Sequence, residues 1–255
     1  MKKLNQKETK LKYQKIKELN DSGISLIEIA KSMNLNPNGV LIQMRKRYGN
    51  AIKGNKELLF SQKQKEILFG SLLGDGYLNF RFEENDVKCN IRFTEEHGDK
   101  QFEYLKYKGE ELKNHLSKIG ISTRKRYDIR FKNPNYLIHT LRTKANPALI
   151  EFHNLFYIGK KKIIPKDLSL LTPLAMAIWF MDDGCKDNKT YRFSTNSFNI
   201  EDVNRIREYL SNKYAIETNI NKKNEIYVLT VSAKRLTNLI KDFVIDSMKY
   251  KLQEY

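Results

Sequence analysis

The chemistry offered by this sequence sits at two acidic positions. Asp75 closes the run Leu68-Phe69-Gly70-Ser71-Leu72-Leu73-Gly74-Asp75-Gly76, and Asp183 closes Met176-Ala177-Ile178-Trp179-Phe180-Met181-Asp182-Asp183-Gly184. Each run is apolar and helix-compatible, stays uncharged until its last turn, and then presents Asp followed by Gly. The glycine is expected to end the helix in the left-handed conformation that it adopts without a Cβ penalty. The aspartate is the anomaly, because a carboxylate at the negative end of a helix dipole costs about 0.3–1 kcal/mol. A divalent cation offsets that cost. Two such helices side by side would bring Asp75 and Asp183 together, an arrangement stable only with cations or a shared proton. Gly70 and Gly74 lie on one helix face and open it to the close approach of another backbone. Ile178 and Asp182 stand in those places in the second run, where Asp182 is a spare carboxylate.

The elements around the two acids repeat. Ile91-Arg92-Phe93-Thr94 follows the first run and Tyr191-Arg192-Phe193-Ser194 the second, both alternating like strands. A helical stretch comes next in each half, over Asp99–Lys118 and Ile200–Lys213. Two further strand-like runs follow, Lys125–Lys132 with Tyr136–Arg142, then Ile216–Asn221 with Ile226–Ser232. A closing helix is expected at Asn146–Phe156 and at Lys234–Asp246. Such duplication marks a pseudo-symmetric single chain.

The 255 residues carry 47 Lys+Arg against 30 Asp+Glu, a formal charge of +17. A charge of that size favours a polyanionic partner, nucleic acid or an anionic membrane surface. The excess is spread: residues 1–60 hold 13 basic against 5 acidic side chains, 61–157 hold 17 against 13, and 158–255 hold 17 against 12. A binding surface through folded structure fits this better than a basic tail. No run of about 18 apolar residues occurs, which excludes a membrane-spanning helix. The basic start lacks an apolar segment of the secretory kind. Cys89 and Cys185 stand alone, so a reducing compartment is expected, a bacterial or phage-infected cytoplasm or an organellar matrix, with no secretion.

Residues 10–48 read as three short helices. Tyr13, Ile16 and Leu19 form a stripe, Gly23 ends the first helix, and Ser25 with Glu28 makes a capping box for the second. Asn36 and Pro37 start the third. The run Gly23–Arg47 resembles helix-turn-helix DNA-binding units, which would place Asn38, Gln43, Arg45 and Lys46 in the major groove. A helical hairpin used for packing is the alternative. Residues 1–50 are thus expected to form this module and 51–60 a linker, followed by halves at 61–160 and 161–255.

With both motifs in view, residues 62–255 resemble a single-chain, two-motif LAGLIDADG homing endonuclease. Leu68–Gly76 and Met176–Gly184 occupy the motif positions. The resemblance implies an α+β fold, a pseudo-twofold duplicated αββαββα core whose two curved antiparallel sheets make a saddle over double-stranded DNA. It implies Asp75 and Asp183 as holders of Mg²⁺, replaceable by Mn²⁺, with Gly74 and Asp182 beside them. Lys162 and Lys251, in Lys161-Lys162-Ile163-Ile164-Pro165 and Met248-Lys249-Tyr250-Lys251-Leu252, would polarise the water at the site. The activity implied is metal-assisted hydrolysis of one phosphodiester in each strand. The chain would act as a monomer, with its own intron RNA as a second candidate partner.

Strand periodicity names the side chains that would face the duplex. Asn90, Arg92 and Thr94 alternate with Ile91 and Phe93. Arg126, Asp128, Arg130 and Lys132 alternate with Tyr127, Ile129 and Phe131, and Arg142 ends the next strand. Arg192, Ser194 and Asn196 oppose Tyr191, Phe193 and Thr195. Two other functions remain open on this scaffold, a non-cleaving DNA-binding regulator and an RNA maturase that assists intron splicing.

Overall fold

The structure, a computed structural model, describes residues 6–22, 24, 26–48, 59–82, 88–130 and 134–253. The chain forms two compact units, Met1–Leu59 and Phe60–Tyr255.

The first unit holds α1 (Gln6–Asp21), α2 (Leu26–Ser32) and α3 (Pro37–Tyr48). Their apolar residues meet in a small core of Ile16, Leu26, Ile29, Ala30, Val40 and Met44, with Tyr13, Leu19 and Met33 packed against it. Ala30 is fully buried. Gly23 and Ser25, and with them the expected capping box, lie outside the described residues.

The second unit is built twice. Its first half runs α4 (Gln62–Leu73), β1 (Tyr77–Phe82), β2 (Lys88–Gly98), α5 (Phe102–Glu111), β3 (Leu116–Tyr127), β4 (Asn135–Thr143) and α6 (Leu149–Phe156). A short hairpin, β5 (Tyr157–Ile158) with β6 (Lys161–Lys162), leads into the second half. That half runs α7 (Pro173–Asp183), β7 (Gly184–Asp187), β8 (Thr190–Phe193), α8 (Ile200–Tyr214), β9 (Thr218–Ile220), β10 (Ile226–Val228) and α9 (Thr230–Ile240). The sheets have matching strand orders, β1-β2-β4-β3 and β7-β8-β10-β9. Every described pairing is antiparallel. This is the duplicated αββαββα order that the family resemblance implies.

The motif helices start by side-chain capping. Ser61 accepts from the Gln64 N–H while the Gln64 side chain accepts from the Ser61 N–H, a full capping box on α4. Thr172 caps α7 ahead of Pro173, and its hydroxyl also donates to Glu66 of α4 at 2.8 Å. The sequence reading passed over both caps. Between these ends the helices pack directly. A Cβ on Gly70 would stand 2.7 Å from the Ile178 Cβ, and one on Gly74 would stand 2.5 Å from the Asp182 Cβ. Glycine on one helix therefore makes room for the larger residue at the matching place on the other. Trp179, fully buried, stacks on Phe193 at 4.2 Å and carries the core from α7 onto the second sheet.

Several expected boundaries move. Gly76 and Gly184 were expected to be left-handed, but among the described residues the glycines with positive φ are Gly120 and Gly159. What Gly76 and Gly184 supply is space. A Cβ on Gly76 would lie 2.8 Å from the Ser71 carbonyl, and one on Gly184 would lie 2.6 Å from the Phe180 carbonyl. The helix expected over Asp99–Lys118 is shorter, because β3 already begins at Leu116, with a register irregularity before Ile121 at the left-handed Gly120. At its other end β3 stops at Tyr127. Tyr127 and Ile129, expected to pack, are 68% and 80% exposed, and Asp128 and Arg130 form a turn instead. The reason is topological: β3 is an edge strand, and its far end is exposed from Ser122 through Tyr127. The last helix begins at Thr230 rather than Lys234, which cuts the preceding strand short at Val228.

The glycine faces should be intolerant of a single methyl. Gly70→Ala is expected to destabilise the second unit by about 1–3 kcal/mol through overpacking, read as a lower urea midpoint at unchanged slope.

Candidate functional site

Both motif acids sit at the C-terminal ends of the packed helices. Asp75 lies just past the end of α4 with its side chain 42% exposed, and Asp183 is the last residue of α7. The carbonyls left open at these ends are taken by lysines in matching fashion. Lys162 Nζ donates to the carbonyls of Gly74 and Gly76 at 2.8 and 2.9 Å. Lys251 Nζ donates to those of Met181 and Asp182 at 2.5 and 3.0 Å. Each ammonium thus offsets the negative helix terminus that its acid would otherwise face alone.

The charges at this centre are coupled. Burial, and then repulsion from Asp75, push the Asp183 carboxyl up to about 7 against the pull of Lys162 and Lys251. Burial pulls both lysines below the ordinary ammonium value, with Asp75, Asp182 and Asp183 opposing it. The Asp75 charge thus reaches Asp183 from the end of the neighbouring helix.

Asp182 behaves differently from its neighbour. Its side chain is fully buried, and Lys108 Nζ donates to its two oxygens at 2.9 and 3.1 Å. The same ammonium donates to Glu95 at 2.5 Å, and Glu95 meets His97 Nε2 at 2.6 Å. His97 Nδ1 lies 3.8 Å from the Asp75 carboxylate. Tyr104, one turn before Lys108 on α5, donates its hydroxyl to the Ile178 carbonyl at 3.0 Å. The first half therefore reaches across the helix pair and grips α7. Burial opposes a charged Glu95, but Lys108 and His97 outweigh it and hold the carboxyl at about 2. Burial and the Glu95 charge raise Asp182 above the usual carboxylate range.

The donor set fits a hard divalent cation, because the carboxylates of Asp75 and Asp182 approach each other at helix ends whose dipoles favour a positive charge. Among the described residues, Asp75, His97 and Asp182 have ligand atoms within 4.8 Å of one another. Asp182 comes with an internal cation already, in Lys108. The Gly74 carbonyl is likewise engaged by Lys162.

The residues expected to face DNA divide. Arg92 and Arg142 are exposed on the sheet face turned away from the helices. Thr94 is on that face but fully buried, because Tyr77 and Arg142 pair with it on either side and cover the shorter side chain. Arg126 is exposed and lies 3.7 Å from Glu96. Arg130 is in the turn, bonded to Asp128. Arg192 is half-buried and paired with Glu225 at 3.0 Å. Ser194 is half-buried and Asn196 exposed, both beyond the end of β8. On α3, Gln43 is half-buried and Lys46 exposed. Lys132 and Phe131, and the side chains of Asn38, Arg45 and Asn90, lie outside what is described. Arg124, bonded to Glu96 at 2.7 Å, was missed. Counting back by two from Arg126 reaches it once β3 is started at Leu116. Glu95 and Lys108 were missed as well, since nothing in their spacing distinguishes them from ordinary strand and helix polarity; His97 shows no metal-ligand pairing in the sequence, yet its ligand atom lies within 4.8 Å of those of Asp75 and Asp182.

Residues 65–239 match the profile of the LAGLIDADG DNA endonuclease family. The chain belongs to that family. It is 34% identical over 206 residues to the cytochrome b mRNA maturase bI2 of Saccharomyces cerevisiae, a match over 74% of this chain and 47% of the maturase. It is 29% identical over 213 residues to the DNA endonuclease I-ChuI of Chlamydomonas applanata, over 76% and 96% of the two chains. The fold is similar to that of the homing endonuclease I-WcaI bound to its DNA recognition sequence, with a TM-score of 0.67 over 88% of this chain and 97% of that one, at 24% identity.

Two outcomes follow from the charges of this LAGLIDADG chain. A cation needs the ionised carboxylate, so Mn²⁺ affinity is expected to rise with pH through about 7. Calorimetry on either side of that value tests this, and Asp183→Asn should flatten the curve. Lys108→Met leaves two buried acids without their cation and is expected to lower stability by about 3–5 kcal/mol in urea.

Proposed function

We propose that the chain is a site-specific double-strand DNA endonuclease of the intron- or intervening-sequence-homing kind. The observation that carries this reading is a pair of packed helices whose ends carry Asp75 and Asp183, each end capped by a lysine, with ligand atoms of Asp75, His97 and Asp182 drawn together beside them. A binding protein has no need of two acids held where they repel. A Mg²⁺ ion, or Mn²⁺ in its place, would supply Lewis acidity and a water of lowered pKa. Asp75 and Asp183 would hold such ions. Lys162 and Lys251 would fix the helix ends and place positive charge beside the scissile phosphates. Arg92, Arg142 and the acid-paired Arg124, Arg126 and Arg192 would line the duplex, with arginine suited to guanine edges. The first unit would add a helix-turn-helix contact through α3, with Gln43, Arg45 and Lys46. The chain would work as a monomer in a bacterial cytoplasm or organellar matrix. No described helix is long and apolar enough to cross a membrane.

A second reading has an observation of its own. The similarity to the bI2 maturases favours a role in intron splicing on the same scaffold, with intron RNA as partner.

Cleavage selection on a randomised duplex library, with and without Mg²⁺, separates the two. The nuclease reading expects a long recovered site cut only with the ion. Asp75→Asn and Asp183→Asn should each drop cleavage to background while binding persists. That binding should weaken about 10³-fold over a fourfold rise in salt, for some six phosphate contacts. No cut sequence under any metal, with splicing of the host intron promoted, would replace the nuclease with the maturase.

A further inference from the structure

The two halves match in strand order and in their capping lysines, and they differ directly beneath the acids. The strand ladders make the comparison residue by residue. Tyr77 and Cys185 each stand two residues after a motif aspartate, and they pair with Thr94 and Arg192. One residue further on, Glu95 therefore corresponds to Phe193, and three residues on, His97 corresponds to Thr195. The sequence repeat Ile-Arg-Phe-Thr and Tyr-Arg-Phe-Ser is thus out of step with the ladders by two residues.

The chemistry at these matched places is unlike. In the first half, His97 is 1% exposed and is held from two directions, by Glu95 at Nε2 and by Gln101 at 3.0 Å from Nδ1. Glu95 is in turn fixed by the buried Lys108. The imidazole so fixed lies between two acids, its Nδ1 3.8 Å from Asp75, whose carboxylate is otherwise partly in solvent, and its Nε2 3.8 Å from the buried Asp182. In the second half, Phe193 is a core ring against Trp179, and the Thr195 hydroxyl is spent on the Asn224 carbonyl. Neither can orient an acid.

We propose that His97 is a positioning residue for Asp75 and not for Asp183, so that the two motif acids are held unequally and the two DNA strands are cut at different rates. The strand-rate part rests on the nuclease reading; the unequal holding of the acids does not. A supporting residue behind an ion-binding group is typically worth about 10–100-fold in affinity or activity.

The test uses the full chain with His97→Ala, His97→Gln and Thr195→Ala, after matching circular dichroism and thermal midpoints. On the duplex recovered by selection, His97→Ala is expected to slow one strand about 10–100-fold and leave the other within about threefold, so that nicked DNA accumulates. His97→Gln, which keeps a donor for Glu95, should restore part of the lost rate, and Thr195→Ala should leave both strands alone. Mn²⁺ titration of the protein without DNA gives a reading that needs no cleavage, with affinity about tenfold weaker in His97→Ala. Equal slowing of both strands, or an unchanged Mn²⁺ affinity, overturns the proposal. Intact DNA with the wild-type chain, together with weaker Mn²⁺ binding in His97→Ala, would remove the nuclease reading and support the positioning of Asp75.

Discussion

Everything in the second unit depends on how closely α4 and α7 approach. At an ordinary helix–helix separation of 8–10 Å, acids at the two ends would each face solvent and a helix dipole separately. Gly70 and Gly74 remove the side chains that would keep the helices apart, and Ile178 and Asp182 fill the space from the other side. The contact is asymmetric in sequence and close to symmetric in effect. It sets the motif acids at neighbouring helix ends, with ligand atoms of Asp75 and Asp182 within 4.8 Å of each other, and that placement is costly without positive charge. The chain supplies part of the charge itself through Lys162 and Lys251, and leaves the rest to be bound.

The same contact explains the buried ionic group. Asp182 fits against Gly74 with its carboxyl desolvated, and such a group is tolerated as an ion when a cation reaches it. Lys108 does so from α5, with Glu95 as its second partner and Tyr104 gripping the backbone of α7. The halves are therefore joined by polar bonds of defined direction as well as by apolar packing. An apolar seam alone would permit sliding of one helix along the other; bonds from α5 to both the side chain of Asp182 and the carbonyl of Ile178 do not.

The sequence displays the acids, the glycine faces, the duplication and the order of elements, because each leaves a periodic or compositional mark. It hides what depends on three-dimensional neighbours. Thr94 alternates outward as its position requires, yet Tyr77 and Arg142 cover it. Tyr127 and Ile129 alternate like core residues, yet both are exposed, at and beyond the far end of an edge strand. The glycines after the acids signal a turn by type, and only the structure shows that space and not handedness is what they provide. His97 and Lys108 are the clearest losses. A single histidine in a polar strand end and a lysine in an amphipathic helix carry no pattern, and their meaning comes from what α5 packs against.

On the proposed function, Asp75 and Asp183 come together to hold divalent ions. Anomalous diffraction from crystals equilibrated with Mn²⁺ tests it most directly. Anomalous density beside these two carboxylates is expected, and it is absent in Asp75→Asn. Mn²⁺ bound elsewhere with both acids bare, or carboxylates pointing apart, would contradict it.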